Sequence, residues 1–149
     1  MTYRLASTDV SEFCTKLRRL AEAQLAELER VKGRFFATSD DLDALSAKEL
    51  LERVRRGDVV LLDVRPAEEY AAGHLRGAIS IPHDELKRRL RELPKGRRVV
   101  AYCRGPYCVF AANAVKLLRQ RGFDAARIED GVAEWRARRL PIERSAVAP

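Results

Sequence analysis

The sequence of 149 residues predicts an α/β protein, with a mostly parallel sheet that carries helices on both faces and a long helix in front of it. Two observations support this fold class. Short apolar runs rich in β-branched residues alternate with stretches of helical period, which is typical of parallel strands joined by helical crossovers. Near the start, apolar residues recur at spacings of three and four over one long stretch, which indicates an amphipathic helix.

The long helix is predicted from Val10 to about Phe36, because neither Pro nor Gly interrupts this stretch before Gly33. It follows Tyr3-Arg4-Leu5-Ala6, which looks like the end of a strand. At 1.5 Å per residue the helix would be about 40 Å long, more than the remaining domain can cover. We therefore expect its apolar stripe to pack on a second copy of the chain as a homodimer. The stripe consists of Val10, Phe13, Leu17, Leu20, Leu28, Val31 and Phe35.

The chain divides into two units joined by a short polar segment. Residues 37–45 are rich in Thr, Ser and Asp and predict a linker. Residues 1–36 therefore form the strand end and the dimerisation helix, and residues 46–143 form the sheet domain. Residues 144–149 are expected to be a tail.

Start and stop signals define the elements of the sheet domain. Ser46-Ala47-Lys48-Glu49 is a capping box that begins a helix, and Gly57-Asp58 turns the chain into a strand. Pro82 ends a later strand, and Asp84 is placed to cap the helix after it. In order, we predict a helix at 46–56, a strand at 59–64, a helix at 66–72, a loop at 73–77, a strand at 78–81, a helix at 85–93, a strand at 99–103, a helix at 111–121, a strand at 124–128 and a helix at 131–138.

Composition narrows the class of protein. No apolar run approaches the about 20 residues that cross a bilayer, and no signal-peptide pattern opens the chain, so we expect a cytoplasmic protein. Three cysteines are too few for a disulfide scaffold, and two histidines at no zinc-ligand spacing predict neither a metal site nor a cofactor. The net charge of +7 favours anionic partners, but the basic residues are spread among acidic ones and do not by themselves indicate nucleic acid.

The candidate nucleophile is Cys103, at the end of a predicted strand and the start of a tight loop that leads into a helix. Backbone N–H groups converge in such a loop, and the helix dipole adds partial positive charge, which favours the reactive thiolate. Arg104 adds a fixed positive charge beside it. The alternative is a buried structural cysteine, which is common in strands. A packing role is assigned to Cys14, which lies beside the apolar stripe.

Asp63 and Arg65 stand at the carboxyl end of another predicted strand. Ligand sites of parallel sheets lie outside the carboxyl ends of the strands, so this end and Cys103 are expected at one edge. We assign Asp63 and Arg65 a supporting role, in which they brace the loop or the following turn without contacting substrate.

Three blocks of the sheet domain resemble the rhodanese family, in the order and spacing of that family. Leu62 to Ala78 is similar to the first signature block of rhodanese domains. Cys103-Arg104 is similar to the start of their active-site loop. Asp130 to Trp135, followed by Leu140-Pro141-Ile142, is similar to their closing block. The resemblance covers about residues 44–143.

This resemblance implies a sulfurtransferase that works through a persulfide. The Cys103 thiolate would attack the outer sulfur of thiosulfate or of a small persulfide, and a thiol or cyanide would then remove that sulfur from Cys103. The loop would hold the anionic sulfur and its donor. Its residues are Arg104, Gly105, Pro106, Tyr107, Cys108 and Val109.

The loop departs from the family pattern at two positions. Typical sulfurtransferase loops have a glycine where this chain has Pro106, and often a basic or hydroxyl residue where it has Cys108. As a second thiol, Cys108 is a possible resolving residue, which would attack the Cys103 persulfide, expel hydrosulfide and leave a disulfide. The alternative is that Cys108 packs at the start of the helix. A Cys103–Cys108 bridge requires a Cα separation below about 7 Å.

Two other function classes bear on this chain. Related phosphatases and arsenate reductases place an arginine six residues after the cysteine, but Val109 stands there and the oxyanion clamp is missing. The N-terminal strand end and long helix resemble the wing and dimerisation helix of ArsR-type winged-helix repressors, some of which carry a rhodanese domain behind that helix. That resemblance implies a reactive-sulfur or redox-sensing module using Cys103 and Cys108, with DNA bound only by a part absent from this chain.

Overall fold

The computed structural model describes residues 6–25 and 47–145. Helix α1 (Thr8–Gln24) comes first, and the second described segment begins with α2 (Ala47–Arg56). The elements that follow are β1 (Val59–Asp63), α3 (Ala67–Ala72), β2 (His74–Leu75), β3 (Ile79–Ser80), α4 (Leu86–Arg89) with a 3₁₀ turn (Leu90–Glu92), β4 (Arg98–Tyr102), α5 (Val109–Gln120), β5 (Ala125–Arg127), α6 (Val132–Ala137) and β6 (Ile142–Glu143).

Four strands form a parallel sheet in the order β3-β1-β4-β5. Asp63 pairs in register with Tyr102, and Ala101 pairs with Arg127, so the carboxyl ends of β1, β4 and β5 meet at one edge. This arrangement confirms the predicted α/β fold with a mostly parallel sheet. The last regular residue of β4 is Tyr102, which leaves Cys103 as the first residue of the loop.

Helices cover both faces of the sheet. Side chains alternate between the faces along each strand, so neighbouring residues of β4 enter different halves of the core. The half beneath α4 and α5 contains Leu62, Val99, Ala101, Cys103, Leu86, Ala111, Val115 and Leu118. The half beneath α2 and α6 contains Leu50, Leu61, Val100, Tyr102, Val132 and Trp135.

The prediction of a loop at 73–77 is wrong in part, because His74–Leu75 forms a short strand in a second, antiparallel pair. His74 pairs with Glu143, and Leu75 pairs with Ile142, to form the β2–β6 ribbon. Each strand has only two residues, which is too short to show a period of two in the sequence. The pairing joins the first and last parts of the sheet domain.

The helix predicted at 85–93 also differs. It is α-helical only over Leu86–Arg89 and continues as the 3₁₀ turn Leu90–Glu92. The residue at its N-cap is Glu85, so the prediction that Asp84 caps it is wrong. The amides of Glu85 and Leu86 donate instead to the Pro82 carbonyl, at 2.9 and 3.0 Å, which satisfies them without a side chain.

Helix α1 ends earlier than predicted. Leu25 has left the helical conformation, with φ −107° and ψ 85°, so the helix is not uninterrupted from Val10 to Phe36. The break follows Gln24, where the apolar periodicity is itself interrupted. Several predicted features lie outside the described residues: the strand end at 3–5, the rest of the predicted helix, the linker 37–45, the cap Ser46 and the end of the tail.

None of the described helices is long and apolar enough to cross a membrane.

Helix α1 packs against α6 through its polar side and leaves its apolar side in solvent. Ser11 and Thr15 are buried in this contact, and Thr15 Oγ1 donates to the Ser11 carbonyl at 3.0 Å. Phe13 and Leu20 are 64% and 62% exposed. Val10, Leu17 and Leu25 are exposed as well. The described part of the predicted stripe is therefore an apolar surface that faces away from the sheet domain.

Asp63 and Arg65 form a buried ion pair at the carboxyl end of β1. Arg65 Nη2 donates to Asp63 Oδ2 at 2.6 Å and to the Gly73 carbonyl at 2.8 Å. Tyr102 Oη donates to Asp63 Oδ2 at 2.5 Å and accepts from the Leu75 amide at 3.1 Å. Burial and the Asp63 carboxylate raise the pKa of Tyr102 well above its usual value, so the phenol stays protonated as a donor. The cluster ties β1 and β4 to the start of the β2–β6 ribbon.

Replacing Tyr102 with Phe is expected to destabilise the fold by about 1 to 3 kcal/mol, because the buried Leu75 amide loses its acceptor and Asp63 loses a donor. Urea unfolding followed by circular dichroism measures this loss. Tyr70→Phe is a matched control, since it removes a half-buried hydroxyl that donates to the Ala78 carbonyl at 2.8 Å and should cost less. Equal stability of Tyr102→Phe and the native protein would contradict the prediction.

Candidate active site

The loop from Cys103 to Cys108 joins the central strand β4 to α5. Cys103 leaves the sheet at its carboxyl edge, and Cys108 is the N-cap residue of α5. The Cys108 amide donates to the Gly105 carbonyl at 3.1 Å and closes a turn within the loop. That amide is therefore engaged inside the loop. The position matches the predicted one, where a strand end meets a helix N-terminus.

The two loop cysteines are joined as a disulfide, with their Cα atoms 6.2 Å apart. This separation is within the range that a bridge allows. Cys103 is 2% exposed and lies in the half of the core beneath α5. The third cysteine, Cys14, is free and exposed on α1. The structure thus brings the candidate nucleophile and the possible resolving thiol into direct contact.

Arg104 points to the other side of the loop, toward α3. Its Nη2 lies 2.5 Å from Glu69 Oε1, and its Nε donates to the same oxygen at 3.0 Å. The guanidinium also stands 5.7 Å from the centre of the Phe110 ring. The charge of Arg104 is therefore matched by the Glu69 carboxylate.

Gly131 packs directly against the backbone of Cys103 and Arg104, at the start of the loop. A Cβ atom there would lie 2.6 Å from the carbonyl oxygen of Cys103 and 2.6 Å from the carbonyl carbon of Arg104. Both atoms belong to the backbone, so the position admits only glycine. The Asp130-to-Trp135 block singled out in the sequence contains this residue, but its packing beneath Cys103 is visible only in the fold.

Glu134 is a buried carboxylate between α6, α1 and the loop. It is 2% exposed, and its Oε2 accepts from the Gly131 amide at 2.7 Å. Its Oε1 accepts from Arg18 Nη1 of α1 at 2.7 Å. A Cβ atom at Gly105 would stand 3.6 Å from both Arg18 Nη1 and Glu134 Oε1. Glu134 and Arg18 are 116 residues apart, and no local pattern in the sequence indicates that they pair.

Tyr107 makes a second contact between the loop and α1. Its hydroxyl donates to Glu22 Oε1 at 2.5 Å. Partial burial and this carboxylate raise the pKa of Tyr107 to about 12. Glu22 in turn lies 3.3 Å from Arg18 Nε. Helix α1 therefore contacts the loop at Tyr107, and Glu22 links that contact to the Arg18–Glu134 pair between α1 and α6. The sequence did not indicate these contacts.

Arg127 lies beneath the loop at the end of β5. It is 3% exposed, and its Nη1 donates to the Pro106 carbonyl at 3.4 Å. Its Nη2 is 3.6 Å from Glu129 Oε1. The predicted strand 124–128 includes this arginine, but the sequence of the strand does not indicate that the Arg127 side chain is buried.

Asp63 and Arg65 lie apart from the cysteine pair. They contact the turn at Gly73 and Tyr102, and Arg65 Nη1 is 3.9 Å from Glu69 Oε2. They are linked to the loop through Tyr102, the residue before Cys103, and through Glu69, which contacts Arg104. Within residues 6–25 and 47–145, no three His, Cys, Asp or Glu side chains come together in a way that could hold a metal ion.

Comparison with known proteins assigns this chain to one family, and a family model and individual relatives agree on it. Residues 46–138 match the family described as Rhodanese-like domain. An HTH-type transcriptional regulator of Mycobacterium tuberculosis is 43% identical over 144 residues, which are 97% of this chain and 63% of the regulator. The chain thus spans less than two thirds of that relative. A sulfurtransferase of Allochromatium vinosum is 35% identical over 86 residues, 57% of this chain and 78% of that protein.

Solved structures agree with this result. A rhodanese-related protein of Thermoplasma volcanium has a TM-score of 0.57 and 26% identity, over 66% of this chain and 95% of its own. A thiosulfate sulfurtransferase of Pseudomonas aeruginosa has a TM-score of 0.58 and 26% identity, over 68% of this chain and 20% of its own. The resemblance that the sequence blocks indicated is confirmed.

Proposed function

The chain belongs to the rhodanese-like family, and on that premise we propose that it is a sulfurtransferase that carries sulfane sulfur on Cys103. The observation that supports this most directly is the position of Cys103. It leaves the central strand at the carboxyl edge of the sheet and is followed by a short loop into the N-terminus of a 12-residue helix. Partial positive charge at that helix end favours a sulfur anion in the loop.

The proposed reaction has two half-steps. The reduced Cys103 thiolate attacks the outer sulfur of thiosulfate, forms a sulfur–sulfur bond and releases sulfite. A thiolate or cyanide then attacks the outer sulfur of the Cys103 persulfide, takes it and restores the Cys103 thiolate. A small persulfide can replace thiosulfate, in which case a thiolate is released. Ping-pong kinetics are expected, because the donor leaves before the acceptor reacts.

The surroundings of Cys103 suit a fixed nucleophile. Gly131 contacts the Cys103 carbonyl from below, and β4 holds the residue before it in the sheet. The backbone of Cys103 is therefore constrained both by Gly131 and by its attachment to β4, which limits the orientations of the Cys103 sulfur.

We expect Cys103→Ser to lower thiosulfate:cyanide sulfurtransferase activity by about a thousandfold or more, since the reacting sulfur is removed. Thiocyanate formation measures the activity, and circular dichroism shows whether the fold persists. Cys14→Ser is the matched control, because this thiol is exposed on α1 and should be dispensable. Activity retained in Cys103→Ser would rule out the mechanism.

A second function is supported by the contact between the cysteines and by the link between the loop and α1. In this alternative the domain is the reactive-sulfur or redox-sensing part of a transcriptional regulator. The relative from Mycobacterium tuberculosis is named an HTH-type transcriptional regulator. Tyr107 stands next to Cys108 in the chain and holds Glu22 of α1. A change in the bonding of Cys108 would thus act one residue from a contact with the helix.

The sensing chemistry starts from the same Cys103 persulfide. The Cys108 thiolate attacks the inner sulfur, which is Cys103 Sγ, and forms the bond between the two cysteines. The bond to the outer sulfur breaks, and that sulfur leaves as hydrosulfide with the electron pair. No further oxidant is needed, because the sulfane sulfur is reduced as the thiols are oxidised.

Cys108→Ala is expected to lengthen the life of the Cys103 persulfide by about tenfold or more, because the internal attack is lost. Reduced protein is treated with polysulfide, and intact mass is followed for a gain of one sulfur or a loss of two hydrogens. Cys14→Ala removes a thiol outside the loop and should behave like the native chain. Equal lifetimes in Cys108→Ala and native protein, with no disulfide formed, would leave Cys108 as a packing residue.

We further propose that the apolar surface of α1 is covered by a second copy of the chain. Phe13, Leu17 and Leu20 lie on one side of the helix and are each more than half exposed. Burial of apolar surface lowers the free energy, and the apolar faces of two copies of α1 can bury each other.

The double variant Leu17→Asp/Leu20→Asp should convert a dimer into a monomer, because two charges from each copy would be buried at the contact. Light scattering at high micromolar concentration measures the mass. Arg19→Asp places an acid at an exposed position about 100° around the helix from Leu20 and should leave the dimer intact. A native chain that is monomeric at that concentration would overturn the proposal.

A further inference from the structure

We propose that the cavity between α1, α3 and α6 binds a small molecule that carries a phosphate monoester group. The inference goes beyond the proposed function, because neither Cys103 nor Cys108 lines this cavity. It depends on a group of arginines that the fold brings together, and the sulfur chemistry of the loop plays no part in it.

The cavity is large enough for an organic ligand. Its volume is about 730 Å³, which is within the range of small-molecule sites in proteins. The walls come from the first turn of α1, the end of α3, the first residues of α6 and the side chain of Arg104. A single inorganic ion would fill only a small part of this space, so the expected ligand has an organic part beside its charged group.

The lining of the cavity is strongly basic. Four arginines face one carboxylate, which belongs to Glu69. The arginines are Arg65, Arg104, Arg136 and Arg144. A guanidinium group keeps its charge under all ordinary conditions and binds phosphate oxygens in pairs through parallel N–H donors. The composition of the lining therefore favours an anion with several oxygens.

Two of these guanidinium groups meet at Gly73. Arg65 Nη2 donates to the Gly73 carbonyl at 2.8 Å. A Cβ atom on Gly73 would lie only 2.6 Å from Arg136 Nη2, so the Arg136 guanidinium lies directly against this backbone. Two positive charges from distant parts of the chain thus converge on one residue at the wall of the cavity.

The acidic groups nearby offset only part of this charge. Arg65 Nη2 pairs with Asp63 Oδ2 at 2.6 Å, and Arg104 Nη2 lies 2.5 Å from Glu69 Oε1. Arg136 and Arg144 are exposed and bring two further positive charges to the same cavity. Like charges collected in a cleft raise the local potential and concentrate anions there.

The start of α1 adds hydrogen-bond donors to this basic surface. Ser7, Thr8 and Ser11 line the cavity, and the side chain of the N-cap residue Ser7 makes no capping hydrogen bond. The first amides of a helix lack partners within the helix, and the helix dipole places partial positive charge at this end. The arginines form the site, and the helix end supplements them.

A phosphate monoester fits this set of donors better than a carboxylate does. Its group offers three acceptor oxygens and up to two negative charges, so it can contact guanidinium groups and hydroxyls at the same time. A carboxylate has two oxygens and one charge. The remaining volume of the cavity would hold the organic part of the ester.

The test is isothermal titration calorimetry of the full chain with three probes that share a benzene ring: phenyl phosphate, benzoate and phenol. At about pH 7.5 phenyl phosphate is mainly a dianion, because the second pKa of a phosphate monoester is about 6. We expect phenyl phosphate to bind about tenfold or more tightly than benzoate, and phenol to give no binding heat.

The double variant Arg136→Gln/Arg144→Gln should weaken phenyl phosphate binding by about tenfold or more, since two guanidinium groups are removed from the cavity. Both residues are exposed, and circular dichroism checks the fold. The matched control is Arg55→Gln/Arg88→Gln, which removes the same charge from two exposed positions outside the cavity and should leave the affinity nearly unchanged.

A further variant acts without removing an arginine. Ala133 is exposed and lines the cavity, so Ala133→Glu places a carboxylate in it and should also weaken phenyl phosphate binding. This variant decides the test if the double variant does not fold.

Unchanged affinity in the folded double variant, or in Ala133→Glu where the double variant is unfolded, would overturn the inference. So would an equal loss in the Arg55→Gln/Arg88→Gln control, which would indicate a general effect of net charge. Benzoate or phenol bound as tightly as phenyl phosphate would refute the phosphate monoester class, as would no binding of phenyl phosphate to the native chain. The titration involves no sulfur transfer, so its outcome is independent of the proposed function.

Discussion

The close approach of Gly131 to the backbone of Cys103 and Arg104 is the constraint on which the rest of the site depends. The contact leaves no room for a Cβ atom, so it fixes the distance between the start of α6 and the end of β4. Once that distance is set, Glu134 of α6 stands beneath the loop and reaches the Gly131 amide. The packing of one glycine thus places a buried carboxylate close to Gly105 of the loop.

That carboxylate explains why α1 lies where it does. A buried anion costs several kcal/mol unless it is paired and hydrogen-bonded. The Gly131 amide supplies one donor, and Arg18 of α1 supplies the second donor and the opposite charge. The Arg18–Glu134 ion pair therefore holds the polar side of α1 against the sheet domain. The apolar side is left to face outward, which is the reverse of an ordinary surface helix.

The sequence predicted the elements whose signals are local. Val59 to Leu62 and Val99 to Ala101 are apolar and β-branched enough to show buried strands, and the family blocks located Cys103 at a strand end. The β2–β6 ribbon was missed because two residues carry no period and their partners lie near the other end of the domain.

The missed site residues have a common physical reason. Arg18, Glu134 and Arg127 are charged, and a charged residue in a sequence is normally read as exposed. Glu134 and Arg127 are buried and Arg18 is partly buried. Their positions depend on contacts with residues distant in the chain, such as the Arg18–Glu134 pair and the contact of Arg127 with the Pro106 carbonyl. The sequence also showed a second thiol at Cys108, but only the curvature of the loop brings its Cα to 6.2 Å from that of Cys103.

The polar contact of α1 with the loop and its polar contact with α6 would respond differently to a change at the cysteines. The Tyr107–Glu22 hydrogen bond is partly exposed, and such a bond contributes only about 1 kcal/mol. The Arg18–Glu134 pair has one partner fully buried, and breaking it would leave an uncompensated charge, at a cost of about 3 to 5 kcal/mol. If reduction or persulfide formation frees Cys108, the weaker contact beside it would open first while Arg18 keeps α1 attached. A sulfur-dependent signal in this domain would therefore be a local rearrangement near Glu22, at the carboxyl end of α1, and not the release of the helix.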